Sequence, residues 1–429
     1  MRTVGSGSWT ALTGPESRIE LSRRPLGLQL LEVAALYAAS RVFSTVLLGV
    51  GLLVILAHGW QTPWLTDTPT FQFVAGHWMP HLPNLFDISA MWDSAHYAAI
   101  AQSGYPTVLP VSAGGQVEPN SWAFLPAYPL LVGAVQFVFG TGFPATGVTV
   151  SLLFGGAATV MLYLVVRDRV GRRPALFAAT VFAFGPLAFV LQLAYAESLF
   201  LFLFFAAIYL MQRRRYGWML APAVLAAFTR PGALVLALAL VVLFVSRLRR
   251  ARAMGRGSAG AAFPRGERVK LAVAVFVTGL AGIAWPAIAW AVTGVANAYT
   301  ATELSWRNGF LGHTDFTPFA AWFELAGRYL GVAGVLLVIA SVVLFAVWVG
   351  RRRIRALGVE NLATSVSYAL YLLAVFMPQQ SVFRVAMPLA PLMGDPGIVG
   401  RPWLRRLVLA VAITAQPVCV AVLWFYANP

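Results

Sequence analysis

Long apolar runs alternate with short arginine-rich segments along most of the chain. A helix needs about 20 predominantly apolar residues to cross a bilayer, and runs of this kind recur from Leu31 to Phe425. The pattern therefore predicts an all-α polytopic membrane protein with a bundle of about 11 transmembrane helices, some of them short. The predicted spans begin near Ala34, Gly147, Pro174, Glu197, Trp218, Leu234, Leu271, Gly331, Leu362, Val385 and Leu407.

The composition agrees with this class and argues against nucleic-acid binding. Hydrophobic residues make up 59% of the chain and charged residues only 11%. The formal net charge is +16, but Lys270 is the only lysine, and the arginines stand in short clusters between apolar runs. Such clusters are typical of cytoplasmic loops, so we expect no nucleic-acid partner. The single cysteine, Cys419, excludes an internal disulfide.

The arginine clusters also predict the topology. If they lie inside, residues 1–28 form a cytoplasmic tail and residues 249–270 a basic cytoplasmic loop of one membrane domain, 29–429. Residues 58–121, which contain no Arg or Lys, then form the first extracytoplasmic loop, and residues 294–328 form another. We predict a multi-pass inner-membrane protein whose active site faces the extracytoplasmic side.

Three features of the sequence are not explained by the arginine clusters alone. Residues 122–140 are apolar enough to cross, but a full span there would place the Arg167–Arg173 cluster outside, so we expect a re-entrant or surface-lying helix. Arg41, inside the first helix, is expected to snorkel towards the cytoplasmic side. Residues 1–24 lack an apolar core before a small-residue cleavage site, so we expect no cleavable signal peptide.

The first outer loop contains the densest group of polar side chains. Trp92, Asp93, His96 and Tyr97 lie in a predicted short helix closed by Gly104. Helical spacing puts Asp93 beside His96 and Tyr97. A carboxylate beside an imidazole and a phenol could deprotonate an acceptor hydroxyl. The structural alternative is that Asp93 caps the helix and Trp92 anchors it at the membrane interface.

Two arginines stand out because they lie on the predicted outer side. One guanidinium at a bundle edge usually reaches for lipid headgroups, but Arg230 and Arg384 together favour a phosphate partner. Glu197, predicted in the first turn of a helix, is explained equally well by the helix dipole or by a functional role. Tyr128 lies between two prolines, which restrict the backbone. This pattern favours a structural role at a rigid helix entrance over direct participation of Tyr128 in the chemistry.

Other polar residues give weaker signals. Arg307 lies in the loop 294–328 with Glu303 and Trp306, a mixture that suits a sugar-binding surface without forming a specific pattern. His77 and His81 have helical metal spacing, but Pro80 intervenes and no acidic partner is near, so we expect no metal site.

The chain lacks the signals of nucleotide-dependent chemistry. No Gly-rich turn of the dinucleotide or P-loop kind follows a strand pattern, and the cytoplasmic loops are too short for a catalytic domain. Any chemistry must then belong to the outer loops and helix ends. No internal repeat is visible, which weakens a transporter interpretation.

Six short motifs follow one another along the chain: Trp92–Asp93–Ser94, His96–Tyr97, Phe124–Leu131, Tyr195–Leu199, Thr229–Gly232 and Phe383–Pro388. In their residues and their order they resemble the motifs of the PIG-V-like mannosyltransferases, which belong to the GT-C class of glycosyltransferases and are relatives of GPI mannosyltransferase II. Pro231 and Ala127 depart from the residues common in that family.

The resemblance implies a GT-C-like bundle with a helical first extracytoplasmic loop. It also implies transfer of mannose from polyprenyl-phosphate-mannose to a lipid or cell-envelope glycan acceptor, with Asp93 as the base. We assign the donor phosphate to Arg230, Arg384 and His96. Substrate contacts are assigned to Trp92, Tyr97, Tyr128, Tyr195, Glu197 and Arg307. Cations facing the phosphate can stabilise the leaving group, so no metal or other cofactor is expected.

Other functions stay open at this stage. The same class of enzyme could use another lipid-linked sugar. A transporter or flippase would favour ionisable residues near the bilayer midplane, whereas the polar residues here cluster at one predicted end. A scaffold without catalysis would leave the placement of Asp93, Arg230 and Arg384 unexplained. Membrane lipids are expected partners, and the sequence predicts no particular protein partner.

Overall fold

The computed structural model describes residues 24–58, 84–254, 263–312 and 315–426. Parts of the predicted tail and loops, and His77 and His81, lie outside these residues. Within them the chain is helical, and the one β feature is an isolated bridge between Val111 and Val117. The helices are α1 (Leu26–His58), α2 (Leu85–Ile88), α3 (Asp93–Ser103), α4 (Ala127–Phe139), α5 (Phe143–Val170), α6 (Arg172–Phe184), α7 (Glu197–Gln212), α8 (Tyr216–Ala227), α9 (Leu234–Ala253), α10 (Arg265–Thr293), α11 (Ala298–Ser305), α12 (Asn308–Leu311), α13 (Ala320–Gly350), α14 (Gly358–Val375), α15 (Val382–Val385), α16 (Pro396–Val399) and α17 (Pro402–Cys419).

Five helices in the described ranges are long and apolar enough to cross a membrane. They are α1, α5, α10, α13 and α17 with its π-helical extension to Tyr426. Shorter apolar helices, α4, α7 and α8 among them, fill the space between these. Exposed Leu, Val and Phe side chains cover the outside of the bundle, as expected where lipid is the solvent. The prediction of an all-α polytopic membrane protein is confirmed.

The predicted span starts agree with the helices, with two differences in regularity. Each start falls within the bounds of a helix, and Glu197 and Leu234 are the first residues of α7 and α9. Gly331 lies at a kink inside α13, where its φ of 58° and ψ of −143° are not helical. Val385, however, ends the four-residue α15, and the chain continues as a 3-10 helix, Met387–Gly394. Pro388 and Pro391 lie in this segment, and proline removes the N–H that a regular α-helix requires.

The segment 122–140 forms α4, which has 13 residues. At 1.5 Å per residue it is about 20 Å long, shorter than the roughly 30 Å hydrocarbon core. It packs against α3 and α5. This length agrees with the predicted re-entrant or surface-lying helix.

Helix direction divides the bundle into two ends. The helix α7 lies at its centre, packed against α5, α8 and α14, with most of its residues buried. Short turns reverse the chain between α5 and α10, apart from the basic loop before α10. The starts of α7 and α9 and the ends of α8 and α14 therefore share one end, which we call the cavity end. The ends of α5, α7 and α9 and the starts of α8, α10 and α14 form the arginine end.

Arg41 differs from its prediction. Its side chain is buried, at 6% exposure, and does not snorkel. It donates hydrogen bonds to the carbonyl oxygens of Ala183 and Ala188, at 2.8 and 2.6 Å. The last carbonyls of a helix lack intrahelical partners, so Arg41 caps the end of α6 and the turn that follows it.

Candidate functional site

A cavity of about 410 Å³ opens at the cavity end. It lies between the start of α3, the turn after α8, α11, α12, the end of α14 and α15. Half of the predicted site residues line it, namely Asp93, Tyr97, Arg230, Arg307 and Arg384.

The cavity contains an ion pair between residues 291 positions apart. Nη2 of Arg384 donates to Oδ2 of Asp93 at 2.6 Å, joining α3 to α15. Asp93 is the first residue of α3, but the cap position belongs to Trp92 and no side chain caps this helix. The capping alternative for Asp93 is therefore wrong, because its carboxylate is turned to Arg384.

The backbone before Asp93 is unusual. Trp92 has φ 58° and ψ −121°, in the left-handed half of the backbone map that bulky residues rarely adopt. The N–H of Asp93 donates to the hydroxyl of Tyr195 at 3.3 Å, and the indole N–H of Trp92 donates to the carbonyl of Trp424 at 3.2 Å. These contacts fix the turn that aims Asp93 at the cavity.

Glu197 binds two guanidinium groups from behind the cavity wall. It is 2% exposed and begins α7. Its Oε1 accepts a hydrogen bond from Arg230 and lies 3.1 Å from Nη1 of Arg384. Two like charges repel unless an opposite charge lies between them, so this carboxylate holds the two arginines side by side. Glu197 itself is not among the lining residues.

Tyr195 and Tyr97 support this group with aromatic rings. Tyr195 is fully buried, and the Arg384 guanidinium lies 5.0 Å from its ring centre, a cation–π distance. The ring of Tyr97 contacts the rings of Tyr195 and Tyr128. Burial raises the pKa of Tyr97, so this cavity-lining group stays a neutral phenol.

Tyr128 and His96 have packing contacts outside the cavity lining. The hydroxyl of Tyr128 donates to the carbonyl of Gly147 at 3.0 Å, which joins α4 to α5. The His96 ring stacks on Phe124 with centres 4.4 Å apart and meets Trp306 edge-on at 5.5 Å. Burial lowers the pKa of His96, against the opposing effect of Asp93. His96 is therefore placed as a neutral imidazole.

Several residues that line the cavity were not among the predicted site residues. Tyr299 and Glu303 come from α11, and Tyr371 comes from α14. The spacing of Tyr299 and Glu303, four residues apart, was a signal that one helical face carries both. Tyr371 lies in an apolar helix, and only the tertiary structure brings it to the cavity.

Metal ligation was also considered. No group of three or more His, Cys, Asp or Glu side chains that could hold a metal ion occurs within the described part of the chain. Because His77 and His81 lie outside that part, the predicted absence of a metal stays a prediction.

Comparison with known proteins gives only distant structural neighbours. No protein-family model matches the chain, and no curated protein matches it significantly. The chain is similar to the Archaeoglobus fulgidus oligosaccharyltransferase complex with zinc and sulfate, with TM-score 0.41 and 15% identity over 77% of this chain and 48% of that one. It is also similar to the archaeal oligosaccharyltransferase AglB from Archaeoglobus fulgidus in complex with an inhibitory peptide and a dolichol-phosphate. That match has TM-score 0.39 and 13% identity over 91% of this chain and 56% of that one. The chain thus spans about half the length of these structures, and at this similarity its reaction must be argued from the site.

Proposed function

We propose that this chain is a membrane glycosyltransferase, a mannosyltransferase that uses a polyprenyl-phosphate-mannose donor. The acceptor is a hydroxyl group of a lipid or cell-envelope glycan on the extracytoplasmic side. One observation carries the proposal: a carboxylate, Asp93, and two guanidinium groups, Arg230 and Arg384, line the same cavity. The choice of mannose rests on the ordered sequence motifs that contain these three residues.

The reaction is a direct displacement with inversion. The oxygen of the acceptor hydroxyl attacks the anomeric carbon of the donor sugar, and the bond from that carbon to the phosphate oxygen breaks. The bonding electrons leave with the polyprenyl phosphate, and Asp93 takes the proton of the hydroxyl. A positioned base of this kind typically contributes about 10²- to 10⁴-fold to the rate.

The two arginines have a separate role at the leaving group. Guanidinium groups bind phosphate oxygens through paired, charge-assisted hydrogen bonds. Negative charge grows on the phosphate as the glycosidic bond breaks, and fixed cations there stabilise the transition state more than the ground state. Because Glu197 holds Arg230 and Arg384 side by side, the pair is organised before the donor arrives.

The contact between Arg384 and Asp93 links these roles. Nη2 of Arg384 donates to Oδ2 of Asp93 at 2.6 Å. A donor phosphate would compete for the same guanidinium, and the carboxylate would then be free to accept a proton. We therefore expect donor binding to precede productive acceptor binding.

The apolar part of the cavity suits a lipid-linked donor. Phe310, Phe316 and Phe376 line it near the start of α13, and Phe316 is 40% exposed. An apolar mouth beside a membrane-crossing helix gives a hydrocarbon tail a route from the bilayer. A water-soluble nucleotide sugar would gain nothing from such a mouth.

The test is transfer from radiolabelled polyprenyl-phosphate-mannose into endogenous lipid and glycan acceptors, in membranes containing the wild type or a variant. We expect a labelled product with the wild type and a loss of at least about 100-fold with Asp93→Asn. Asp168→Asn is the matched control: Asp168 pairs with Arg167 and Arg213 at the arginine end, and its variant should retain transfer.

The outcomes separate the alternatives. A folded Asp93→Asn protein with near-full transfer would remove the base assignment. No wild-type product, with the donor intact and several acceptor pools tried, would point first to another lipid-linked sugar and next to a transporter.

A further inference from the structure

One wall of the cavity, formed by α11 and its C-terminal cap, has no role in the displacement described above. Tyr299 and Glu303 lie four residues apart on this helix, and both line the cavity, as does Trp306 at its end. Helical residues four apart share a face. The wall therefore presents a carboxyl, a phenol and an indole together.

Contacts on either side fix this wall in place. Thr302, on the buried side of α11, accepts a hydrogen bond from Nδ2 of Asn120 at 3.0 Å. Arg307, just beyond α11, donates from Nη2 to the carbonyl of Val375 at 2.6 Å, which ties the segment to the end of α14. A binding surface is selective when its groups are held by such supporting contacts.

Glu303 differs from the other two carboxylates of the site. Asp93 and Glu197 each pair with arginine, whereas Glu303 forms no ion pair with any described residue. Burial raises the pKa of the Glu303 carboxyl, although Tyr299, Arg307 and Arg230 oppose the change. A protonated carboxyl both donates and accepts hydrogen bonds, which suits a ligand with neutral hydroxyl groups.

Two further side chains complete the surface. The indole N–H of Trp306 is buried and has no hydrogen-bond partner among the described residues. A buried donor without a partner is costly. Tyr371 packs over Gly232, where φ is +101° and an added Cβ would lie 2.9 Å from its ring. Glycine there allows Tyr371 to close over the turn that carries Arg230.

We propose that Glu303, Tyr299, Trp306 and Tyr371 form a subsite for a hexose ring, in which Glu303 contacts the sugar hydroxyl groups directly. This inference rests on the proposed function and deepens it. Aromatic faces cover the C–H surface of a sugar, and neutral donors and acceptors bind its hydroxyls. The two guanidinium groups assigned to the phosphate, on Arg230 and Arg384, line the same cavity.

The subsite makes Glu303 a specificity-determining residue that acts by hydrogen bonding. Glutamine keeps a donor and an acceptor at that position, whereas leucine keeps only the bulk. Glu303→Gln should therefore retain sugar binding, and Glu303→Leu should weaken it. Since a raised pKa keeps the carboxyl neutral to higher pH, wild-type binding should weaken as pH rises and that of Glu303→Gln should not.

The first experiment measures saturation-transfer NMR of methyl α-D-mannopyranoside with the full chain in nanodiscs. We expect a signal with the wild type and Glu303→Gln, and a roughly two- to tenfold weaker signal with Glu303→Leu. Glu118→Gln, an exposed carboxylate outside the cavity, is the matched control and should behave as the wild type. No wild-type signal, or an undiminished one with Glu303→Leu, would overturn the subsite.

Steady-state transfer then identifies which hexose occupies the subsite. If it is the donor sugar, Glu303→Leu raises KM for polyprenyl-phosphate-mannose. If it is an acceptor sugar, the same variant raises KM for the glycan acceptor. A change in neither KM contradicts the inference and leaves the proposed function intact. An NMR signal that depends on Glu303, in a protein that transfers sugar from no lipid donor, would support the subsite and contradict the proposed function.

Discussion

At each end of the bundle a carboxylate is held between two arginines. At the cavity end Glu197 contacts Arg230 and Arg384, and at the arginine end Glu360 contacts Arg169 and Arg247 at 2.8 and 3.3 Å. The residue types are the same, but their surroundings differ. The groups that surround an ion pair, more than its own residue types, therefore decide whether it joins helices or faces a ligand.

The arginine end forms a closed network. Arg247 of α9 contacts Glu360 of α14 and Glu267 of α10, and it also donates to the hydroxyl of Tyr216 on α8. Arg172 of α6 binds Glu32 of α1 at 2.6 Å. These contacts join neighbouring helices at the point where apolar packing ends.

The cavity end forms an open network. Arg230 and Arg384 both line the cavity. Oε2 of Glu197 and Nε of Arg384 are buried without hydrogen-bond partners among the described residues, but so is Nε of Arg169 at the arginine end. The cavity is therefore what distinguishes the two networks. The rings of Tyr195 and Tyr97 surround the group, so it lies in a low-dielectric setting where charges interact strongly. An arriving phosphate would meet two cations already in position.

The largest effect should separate one arginine of each network, Arg384 at the cavity end and Arg247 at the arginine end. Arg384→Gln removes a cation from the cavity, and we expect transfer per folded molecule to fall by roughly 100-fold or more. Arg247→Gln breaks a buried network, so it should lower Tm by about 5–10 °C and leave transfer per folded molecule near the wild-type value. Thermal unfolding in detergent and transfer in membranes measure the two quantities.

The contrast between the two ends would not hold if each variant changed the quantity expected of the other, or if both variants lowered transfer. Unchanged transfer with Arg384→Gln, or a loss of transfer with Arg247→Gln that exceeds its loss of folded protein, would contradict it. Asp168→Asn provides a baseline for removing one charge at the arginine end.

The sequence predicted the helices well because each signal is local. Apolar length and arginine clusters located a helix at each of the eleven predicted starts, and five of these described helices are long and apolar enough to cross a membrane. Motif position selected Asp93, Arg230 and Arg384, which line one cavity. Local patterns could not reveal that Arg384 would pair with Asp93, 291 residues away. Local patterns also gave a wrong prediction for Arg41, which was expected to snorkel. Arg41 caps α6 instead, because the fold brings the free carbonyls of Ala183 and Ala188 to it.

Other predicted site residues illustrate the same limit. Glu197 and Tyr195 contact the arginines from behind, and Tyr128 bonds to α5 instead of facing the cavity. The sequence around Glu303 and Tyr371 gave little indication of a site. Glu303 lies in a predicted loop with both polar and apolar residues, and Tyr371 lies in an apolar helix. A motif indicates that a segment is near a site, whereas burial and partners decide each side chain's task.

A smaller effect should distinguish two glycines, one at each end. Gly232 has φ +101° and Gly171 has φ +90°, so alanine at either costs about 1–2 kcal/mol of stability. An added Cβ at Gly171 meets nothing within 4 Å, whereas at Gly232 it meets Tyr371. Gly232→Ala should therefore also displace Tyr371 and lower transfer by about tenfold, while Gly171→Ala should lower Tm alone.

Measuring both variants gives the contrast directly. Thermal unfolding should report a loss of stability for both variants, larger for Gly232→Ala because of its clash with Tyr371. Transfer normalised to folded protein should fall with Gly232→Ala alone. Equal transfer in the two variants would mean that the position of Tyr371 does not matter for the reaction, which would also weaken the proposed sugar subsite.

The smallest effect concerns His96, which lies beside the open network but is packed like a core residue. Its pKa is lowered by burial, so below the ordinary value of about 6.5 the unfolded chain binds a proton that the folded chain resists. Stability should therefore fall as pH falls, and His96→Phe, which keeps the stack on Phe124, should remove that part of the loss. Comparing Tm of the two proteins between pH 8 and pH 5.5 isolates His96, because the other histidines are common to both.

If acidification instead stabilised the wild type relative to the variant, His96 would be held as a cation, and it would belong with Arg230 and Arg384 at the phosphate. The expected sign places His96 as a neutral imidazole, in contrast to the charged guanidinium groups of Arg230 and Arg384.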